Sequence, residues 1–221
     1  MKIIYNKYDK TKIGGLERDT FPGRIIVVLN EQDAQKAVDY LMTMPILGFD
    51  TETRPSFKRG QSHKVALLQV STHDTCFLFR LNRTGITPAI RQLLETEKML
   101  KIGLSWHDDI LSLKKRGQFD ARGFFELQDH MKELGIEDMS LAKLYANLFN
   151  KRISKREQLS NWEADILNEK QQLYAATDAW ACIMLYEEYL RLKEVGDYKL
   201  EIKEEPIKTD DDIQKDISEK R

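Results

Sequence analysis

Apolar residues along this chain follow two spacings, one typical of strands and one typical of helices. β-Branched residues dominate positions 24–29, which predicts a strand. Asn30 follows as a suitable N-cap for a helix over residues 31–42, where apolar residues recur at helical spacing. Three further apolar runs, separated by residues with turn chemistry, predict an antiparallel meander at 46–52, 65–70 and 76–79.

From residue 88 onward, helical and strand spacings alternate. The predicted elements are a helix over 88–97, a strand over 100–103, a helix over 106–116, a strand over 124–127 and then several helices. The last helix is long, with Asn168 as N-cap and Gln171 at its third position. This order predicts an α/β fold, in which helices flank a mixed sheet made of the antiparallel meander plus parallel strands.

A length of 221 residues fits one domain with appendages. We expect an N-terminal extension over 1–22, the domain over 23–196 and a charged tail over 197–221. The tail has nine acidic and six basic residues, a net charge of −3, and too little apolar surface to order itself. It is therefore expected to be disordered and dispensable, although Leu200 and Ile202 could add a small edge strand.

Composition narrows the class of protein but does not name a partner. With 41% hydrophobic residues the chain can build a full core, and no apolar run reaches the roughly 20 residues that span a bilayer. The first residues lack the long apolar segment of a signal peptide. Cys76 and Cys182 lie far apart in apolar contexts, which predicts buried thiols and a reducing, cytoplasmic location. A net charge of −1 neither establishes nor excludes a polyanionic partner.

Acidic residues at three places suggest a metal site. Asp50 and Glu52 lie two residues apart in a predicted strand, so both carboxylates share one face. They could hold a divalent cation, or they could form an ordinary exposed acidic strand end. Tyr174 and Asp178 stack one turn apart in the last helix, where a Tyr–Asp hydrogen bond or an ion pair is as reasonable as metal binding.

The third place is the start of the helix over 106–116. Ser105 and Asp108 fit a capping box, which gives Asp108 a structural explanation. Asp109 lies at the edge of the apolar stripe and has no such explanation. His107 is best interpreted as a residue of the first helical turn.

The ordered set of Asp50, Glu52, Asp109, Tyr174 and Asp178 resembles the DEDDy branch of the 3′–5′ exonucleases, in the RNase H-like (DnaQ-like) superfamily. The segments Leu-Ser-Asn-Trp at 159–162 and Leu-Tyr-Ala-Ala-Thr-Asp-Ala at 173–179 are similar to the exonuclease domain of the Werner syndrome helicase and, less closely, to RNase D. The resemblance covers residues 24–192. The second motif, which contains Asp109, departs from the usual pattern, because Trp106 and His107 stand where small residues are expected.

The resemblance implies an RNase H-like fold and an enzyme that removes nucleoside 5′-monophosphates from the 3′ ends of DNA or RNA, with DNA favoured. It implies two divalent cations, Mg²⁺ or Mn²⁺, held by the four carboxylates. Asp50 would bridge both ions, Glu52 and Asp178 would complete the site that activates water, and Asp109 would support the second ion. Tyr174 would orient the attacking water. A binding module without catalysis and a small-molecule phosphodiesterase are the alternatives.

A basic run provides candidates for substrate contact. Its cations could bind phosphates, and a nearby aromatic ring could stack on a base. The alternatives are a solvated basic surface and a core tryptophan. These candidates are Lys151, Arg152, Lys155, Arg156 and Trp162.

Overall fold

The computed structural model describes residues 1–58 and 60–203. Within these residues the strands are β1 (Lys2–Tyr5), β2 (Glu17–Arg18), β3 (Arg24–Val28), β4 (Ile46–Glu52), β5 (Leu67–Ser71), β6 (Thr75–Phe79), β7 (Leu100–Gly103), β8 (Phe124–Glu126), β9 (Lys151–Arg152) and β10 (Tyr198–Glu201). The helices are α1 (Lys10–Ile13), α2 (Glu31–Leu41), α3 (Leu81–Thr84), α4 (Pro88–Glu95), α5 (Trp106–Lys114), α6 (Leu127–Glu133), α7 (Leu141–Phe149) and α8 (Glu169–Val195).

Six strands form the central sheet in the order β3-β6-β5-β4-β7-β8. β4, β5 and β6 make the predicted antiparallel meander. β7 and β8 extend it beyond β4 as parallel neighbours, and β3 pairs in parallel with β6 on the other side. The predicted fold, a mixed sheet with antiparallel and parallel parts, is confirmed. No helix within the described residues combines the length and apolar character needed to cross a bilayer.

Helices cover both faces of the sheet. The long helix α8 packs along one face, over β4 and β5, while α2 and α4 pack against each other in the apolar cluster of the opposite face. The predicted caps form: the side chain of Asn30 accepts from Asp33 N–H, and Asn168 and Gln171 make a reciprocal capping box. Such caps satisfy backbone donors that would otherwise be unpaired at the start of each helix.

Close packing of α8 on β4 depends on a glycine. A Cβ atom at Gly48 would overlap the backbone carbonyl of Ala179, so only glycine allows the helix this close. Ala175 and Ala176 on the same helix are fully buried. Small residues on both sides therefore bring the acidic end of β4 near the N-terminal half of α8, where Tyr174 and Asp178 are found.

The two terminal segments pack on the domain. β1 pairs in parallel with β10, and Ile4 and Phe21 belong to the main hydrophobic core. β2 likewise pairs with β9. The disorder expected from residue 197 onward therefore does not hold for β10, which contains Leu200 of the edge strand that the sequence allowed. The predicted disorder of residues 204–221 concerns a segment outside the described residues and stays a prediction.

Candidate active site

Three predicted acids come together where β4 ends against α8. One carboxylate oxygen each of Asp50, Glu52 and Asp178 lies within 4.8 Å of the others. Glu52 and Asp178 are both buried, and Asp50 is partly buried. The three acids and Tyr174 line one groove with a volume of about 370 Å³. The i, i+2 spacing in the strand and the close approach of α8 together produce this cluster.

Asp109 lies at the edge of this cluster and outside the group of three. Its Oδ1 accepts a 2.5 Å hydrogen bond from the hydroxyl of Thr51, the residue between Asp50 and Glu52. Its negative charge contributes to raising the pKa of Asp50 and of Glu52, so it lies within electrostatic range of both. The structure thus places the fourth predicted acid next to the site.

Burial and mutual repulsion oppose ionisation of these acids. Burial, followed by the charges of Asp178 and Asp109, raises the pKa of Asp50 well above its usual range. The pKa of Glu52 is raised by burial and then by Asp50. Burial raises the pKa of Asp178 to about 7, although the nearby hydroxyl of Tyr174 and the charge of Lys155 lower it. Without a compensating positive charge, the cluster therefore retains protons near neutral pH.

A divalent cation would supply that charge, and the donor set fits one. Carboxylate oxygens are hard ligands that suit Mg²⁺ and Mn²⁺. Within the described part of the chain, no group hydrogen-bonds to the buried Oδ1 of Asp178, which leaves this oxygen available as a ligand. The residues that would hold the metal are Asp50, Glu52 and Asp178, with Asp109 beside them.

Tyr174 faces the acids from α8. Burial, followed by the charge of Asp178, raises the pKa of its hydroxyl, which therefore stays protonated. Its ring lies 5.9 Å from the ring of Trp162. Trp162 is completely buried, so the interpretation as a base-stacking residue is wrong and the alternative, core packing, is correct. The tryptophan packs beside the tyrosine ring in the core and is not among the residues that line the groove.

The start of α5 differs from the predicted capping box. Ser105 has a left-handed backbone (φ 66°), and its side chain makes no capping bond. Instead, the carboxylate of Glu126, at the end of β8, accepts from the N–H groups of Ser105 (2.9 Å) and Trp106 (2.6 Å). Asp108 is exposed and does not cap the helix. The predicted role of Asp108 is therefore wrong, because a residue from a neighbouring strand occupies the capping position.

Trp106 and His107, the unusual residues of the second motif, leave the groove open. Trp106 is buried in the apolar cluster of α2 and α4, with its ring 5.5 Å from Phe49 and 4.6 Å from Phe124. His107 is exposed. Neither residue is among those that line the groove.

The basic candidates divide into two groups. Lys151 pairs with Asp19 at 3.2 Å, and the Nε of Arg152 donates to the backbone carbonyl of Leu16 at 2.8 Å, so both contact the N-terminal segment. Lys155 lines the groove, and Arg156 next to it is exposed.

Sequence reasoning missed three polar residues near the acids. These are Thr51, Glu126 and Gln69. Gln69 lies opposite Asp50 in the antiparallel register of β4 and β5, and it is fully buried. A polar residue inside the apolar run Leu67–Val70 was a visible signal, whereas nothing in the local sequence marked Glu126 as the cap of α5.

Residues 25–193 match the model of a family described as 3′–5′ exonuclease. The bifunctional 3′–5′ exonuclease/ATP-dependent helicase WRN of Mus musculus is 30% identical over 187 residues, which cover 80% of this chain and 13% of that protein. A 3′–5′ exonuclease of Arabidopsis thaliana is 30% identical over 191 residues, or 84% of this chain and 62% of that protein. The structure of Escherichia coli RNase D matches with a TM-score of 0.68 at 16% identity, over 78% of this chain and 47% of that one.

The mixed sheet and its flanking helices have the RNase H-like fold of the matching exonuclease structures, and three acids cluster at one end of the central strand β4. The chain belongs to the 3′–5′ exonuclease family, because the family model covers well over half of it. The family predicted from the five motif residues is thereby confirmed. The chain spans less than two thirds of the length of each relative described here.

Proposed function

We propose that this chain is a metal-dependent 3′–5′ exonuclease of the DEDDy branch, which removes nucleoside 5′-monophosphates from nucleic-acid 3′ ends. One observation carries the proposal. Oxygens of Asp50, Glu52 and Asp178 lie within 4.8 Å of one another in a groove that Tyr174 also lines. Acids this close, with raised pKa values, favour a site for cations over a site for a substrate carboxylate or phosphate alone.

Two cations, Mg²⁺ or Mn²⁺, would be held by Asp50, Glu52 and Asp178, with support from Asp109. Bound there, such ions lower the pKa of water and stabilise the leaving oxygen of a phosphodiester. The chain's own residues do the positioning. Tyr174 keeps its hydroxyl protonated and next to Asp178, where it can orient the attacking water. Lys155 lines the same groove and can bind a substrate phosphate.

DNA is the proposed preferred substrate, on the strength of the similarity to the exonuclease region of WRN. RNA is the alternative, because the matching RNase D structure is that of an exoribonuclease involved in structured RNA processing. We also propose a reducing, cytoplasmic location, which agrees with two buried free thiols at Cys76 and Cys182.

The test is digestion of labelled DNA and RNA, each single- and double-stranded, with Mg²⁺, Mn²⁺ or EDTA. We expect mononucleotide release from the 3′ end, abolished by EDTA and by Asp178→Asn, and faster on DNA. Faster release from RNA would support the RNase D-like alternative. Binding of the oligonucleotide without any release would support the non-catalytic module. Release of product only from a dinucleotide would indicate the small-molecule phosphodiesterase.

A further inference from the structure

A second cavity, with a volume of about 390 Å³, adjoins the acidic groove. The two depressions share five wall residues: Ser140, Ala142, Ile153, Ser154 and Lys155. A ligand that reaches the acids can therefore continue into the second cavity without leaving the protein surface. We call this second cavity the basic cleft.

The basic cleft has the positive charge that is expected of a binding site for a polyanion. Five cations line it, and none of its lining residues is acidic: Lys10, Lys143, Arg152, Lys155 and Arg156. Lys143 is paired with Asp138 at 2.8 Å. For Lys10 and Arg156, no ion pair is formed with any residue in the described ranges 1–58 and 60–203. Their charges are thus available for phosphates.

One wall of the basic cleft comes from the N-terminal segment. Lys10, Ile13 and Gly14 lie in or directly after α1, ahead of residue 25, where the match to the exonuclease family begins. Ile13 adds an apolar surface between the cations. This wall therefore lies outside the residues that the family model matches.

The wall is held in place on both sides of α1. Before the helix, the backbone N–H of Tyr8 donates to Asp138 at 2.6 Å, and Tyr8 is buried. After the helix, Arg152 donates to the carbonyl of Leu16. The side chain of Asp9 caps the helix by accepting from Thr11 N–H. Lys10 is therefore presented on an anchored element.

We infer that the basic cleft binds the phosphate backbone of a single strand as it leads away from the 3′ end held at the acids. This inference rests on the proposed function, which places the 3′-terminal nucleotide in the acidic groove and thereby sets the direction in which the strand runs. Several cations spread along a continuous depression suit a chain of phosphates, whereas a single phosphate would need only one cluster. The N-terminal segment thereby makes affinity depend on strand length.

The test measures binding and hydrolysis separately, on the full chain. Binding of a labelled 12-nucleotide single strand is followed by fluorescence anisotropy in EDTA, and hydrolysis is followed on the same strand and on a dinucleotide. Lys10→Glu and Arg156→Glu should each weaken binding of the 12-mer several-fold. Each should also reduce the slope of log affinity against log salt by about 0.7, because one phosphate contact is lost. Hydrolysis of the dinucleotide by Lys10→Glu should not change.

The matched control is Lys36→Glu, which makes the same charge change on α2, on the far side of the sheet. It should leave binding of the 12-mer unchanged. Equal weakening in Lys36→Glu would show that only net charge matters and would overturn the assignment of the cleft.

Gly14 allows a test by gain of affinity, which a folding defect cannot imitate. Its backbone is right-handed (φ −59°), and a Cβ placed there meets nothing within 4 Å. Gly14→Lys should tighten binding of the 12-mer two- to five-fold, while Gly14→Gln should not. No gain from the lysine, together with wild-type binding in Lys10→Glu and Arg156→Glu, would overturn the inference. Absence of hydrolysis in the wild-type protein would instead count against the proposed function.

Discussion

The hydroxyl of Thr51 donates a 2.5 Å hydrogen bond to the carboxylate of Asp109, and this bond joins β4 to α5 beside the acidic cluster. Thr51 stands between Asp50 and Glu52 in the sequence, and it lines the same groove as these two acids. The bond therefore holds the fourth acid of the motif set near the other three. The neighbouring acid, Asp108, is exposed and has no comparable bond among the described residues.

Asp109→Asn and Asp108→Asn should consequently differ in activity. Loss of the Asp109 charge removes support from the proposed second cation, and we expect kcat/KM to fall about 10- to 100-fold, as for outer ligands of other metal sites. Asp108→Asn should stay close to wild type. Measurement of kcat/KM on a single-stranded oligonucleotide checks both variants. A larger loss for Asp108→Asn would reverse the roles assigned to the two residues.

Glu126→Ala should lower stability through the start of α5. The carboxylate accepts from the N–H groups of Ser105, Trp106 and Gln128, and removal of a charged acceptor leaves these partly buried donors unpaired. The expected cost is about 1–3 kcal/mol in the free energy of unfolding. Urea unfolding measures it, with Asp108→Ala as the control on the same helix. A cost in Asp108→Ala equal to that in Glu126→Ala would restore the capping box expected from the sequence.

Local sequence signals predicted much of the fold and of the site. The features that they did not predict share one physical cause. The β4 strand with Asp50 and Glu52 and the cap at Asn168 were predictable, because strand alternation and capping act over a few residues. The cap at Glu126 was not, because it joins residues 20 and 21 positions apart. The burial of Trp162 and the pairing of β10 with β1 likewise depend on contacts that local spacing does not encode.

The metal-free protein should lose stability as the pH rises. The pKa of Asp178 in the folded chain is about 7 because of burial, against roughly 3.9 for an unfolded aspartate. Between these two pKa values the folded state keeps a proton that the unfolded state has released. The stability that this proton contributes is therefore fully present below about pH 4 and is lost as the pH rises through 7. The variant Asp178→Asn lacks this pH-dependent contribution to stability.

In EDTA, thermal unfolding of Asp178→Asn should occur at a temperature several degrees above that of the wild type at pH 8. The difference should shrink at pH 5, where the wild-type acid is protonated. The comparison reports the loss of the Asp178 carboxyl together with the lower pKa of Asp50 and Glu52, which no longer face its charge. A difference that does not vary with pH would contradict the raised pKa.

Tyr174→Phe should reduce kcat and leave KM nearly unchanged. The phenylalanine ring keeps the contact with Trp162, and only the hydroxyl next to Asp178 is lost. A group that positions water acts mainly in the transition state, so a drop in kcat of about 10- to 100-fold is expected. Tyr189→Phe is the control, because this tyrosine of α8 bonds Glu133 at 2.8 Å and does not line the groove. Equal kcat in Tyr174→Phe and wild type would make Tyr174 a packing residue.

Two truncated chains should show at which residue the folded domain ends. The sequence pattern predicts that the chain can stop after Gly196, but that cut removes β10 and its pairing with β1. It also removes Leu200, which packs against Gly135 and the main core.

We therefore expect the chain that ends at Gly196 to unfold at a temperature several degrees lower than the wild type, since a loss of a few kcal/mol of strand pairing and burial has that effect in a chain of this size. The chain that ends at Lys203 should keep wild-type stability. The matched point variant is Leu200→Ala in the full chain, which tests the packing without removing backbone. If the cut after Gly196 and the cut after Lys203 unfold at the same temperature, β10 contributes nothing to the domain. If the chain that ends at Lys203 is less stable than the full chain, residues 204–221 must stabilise the fold themselves.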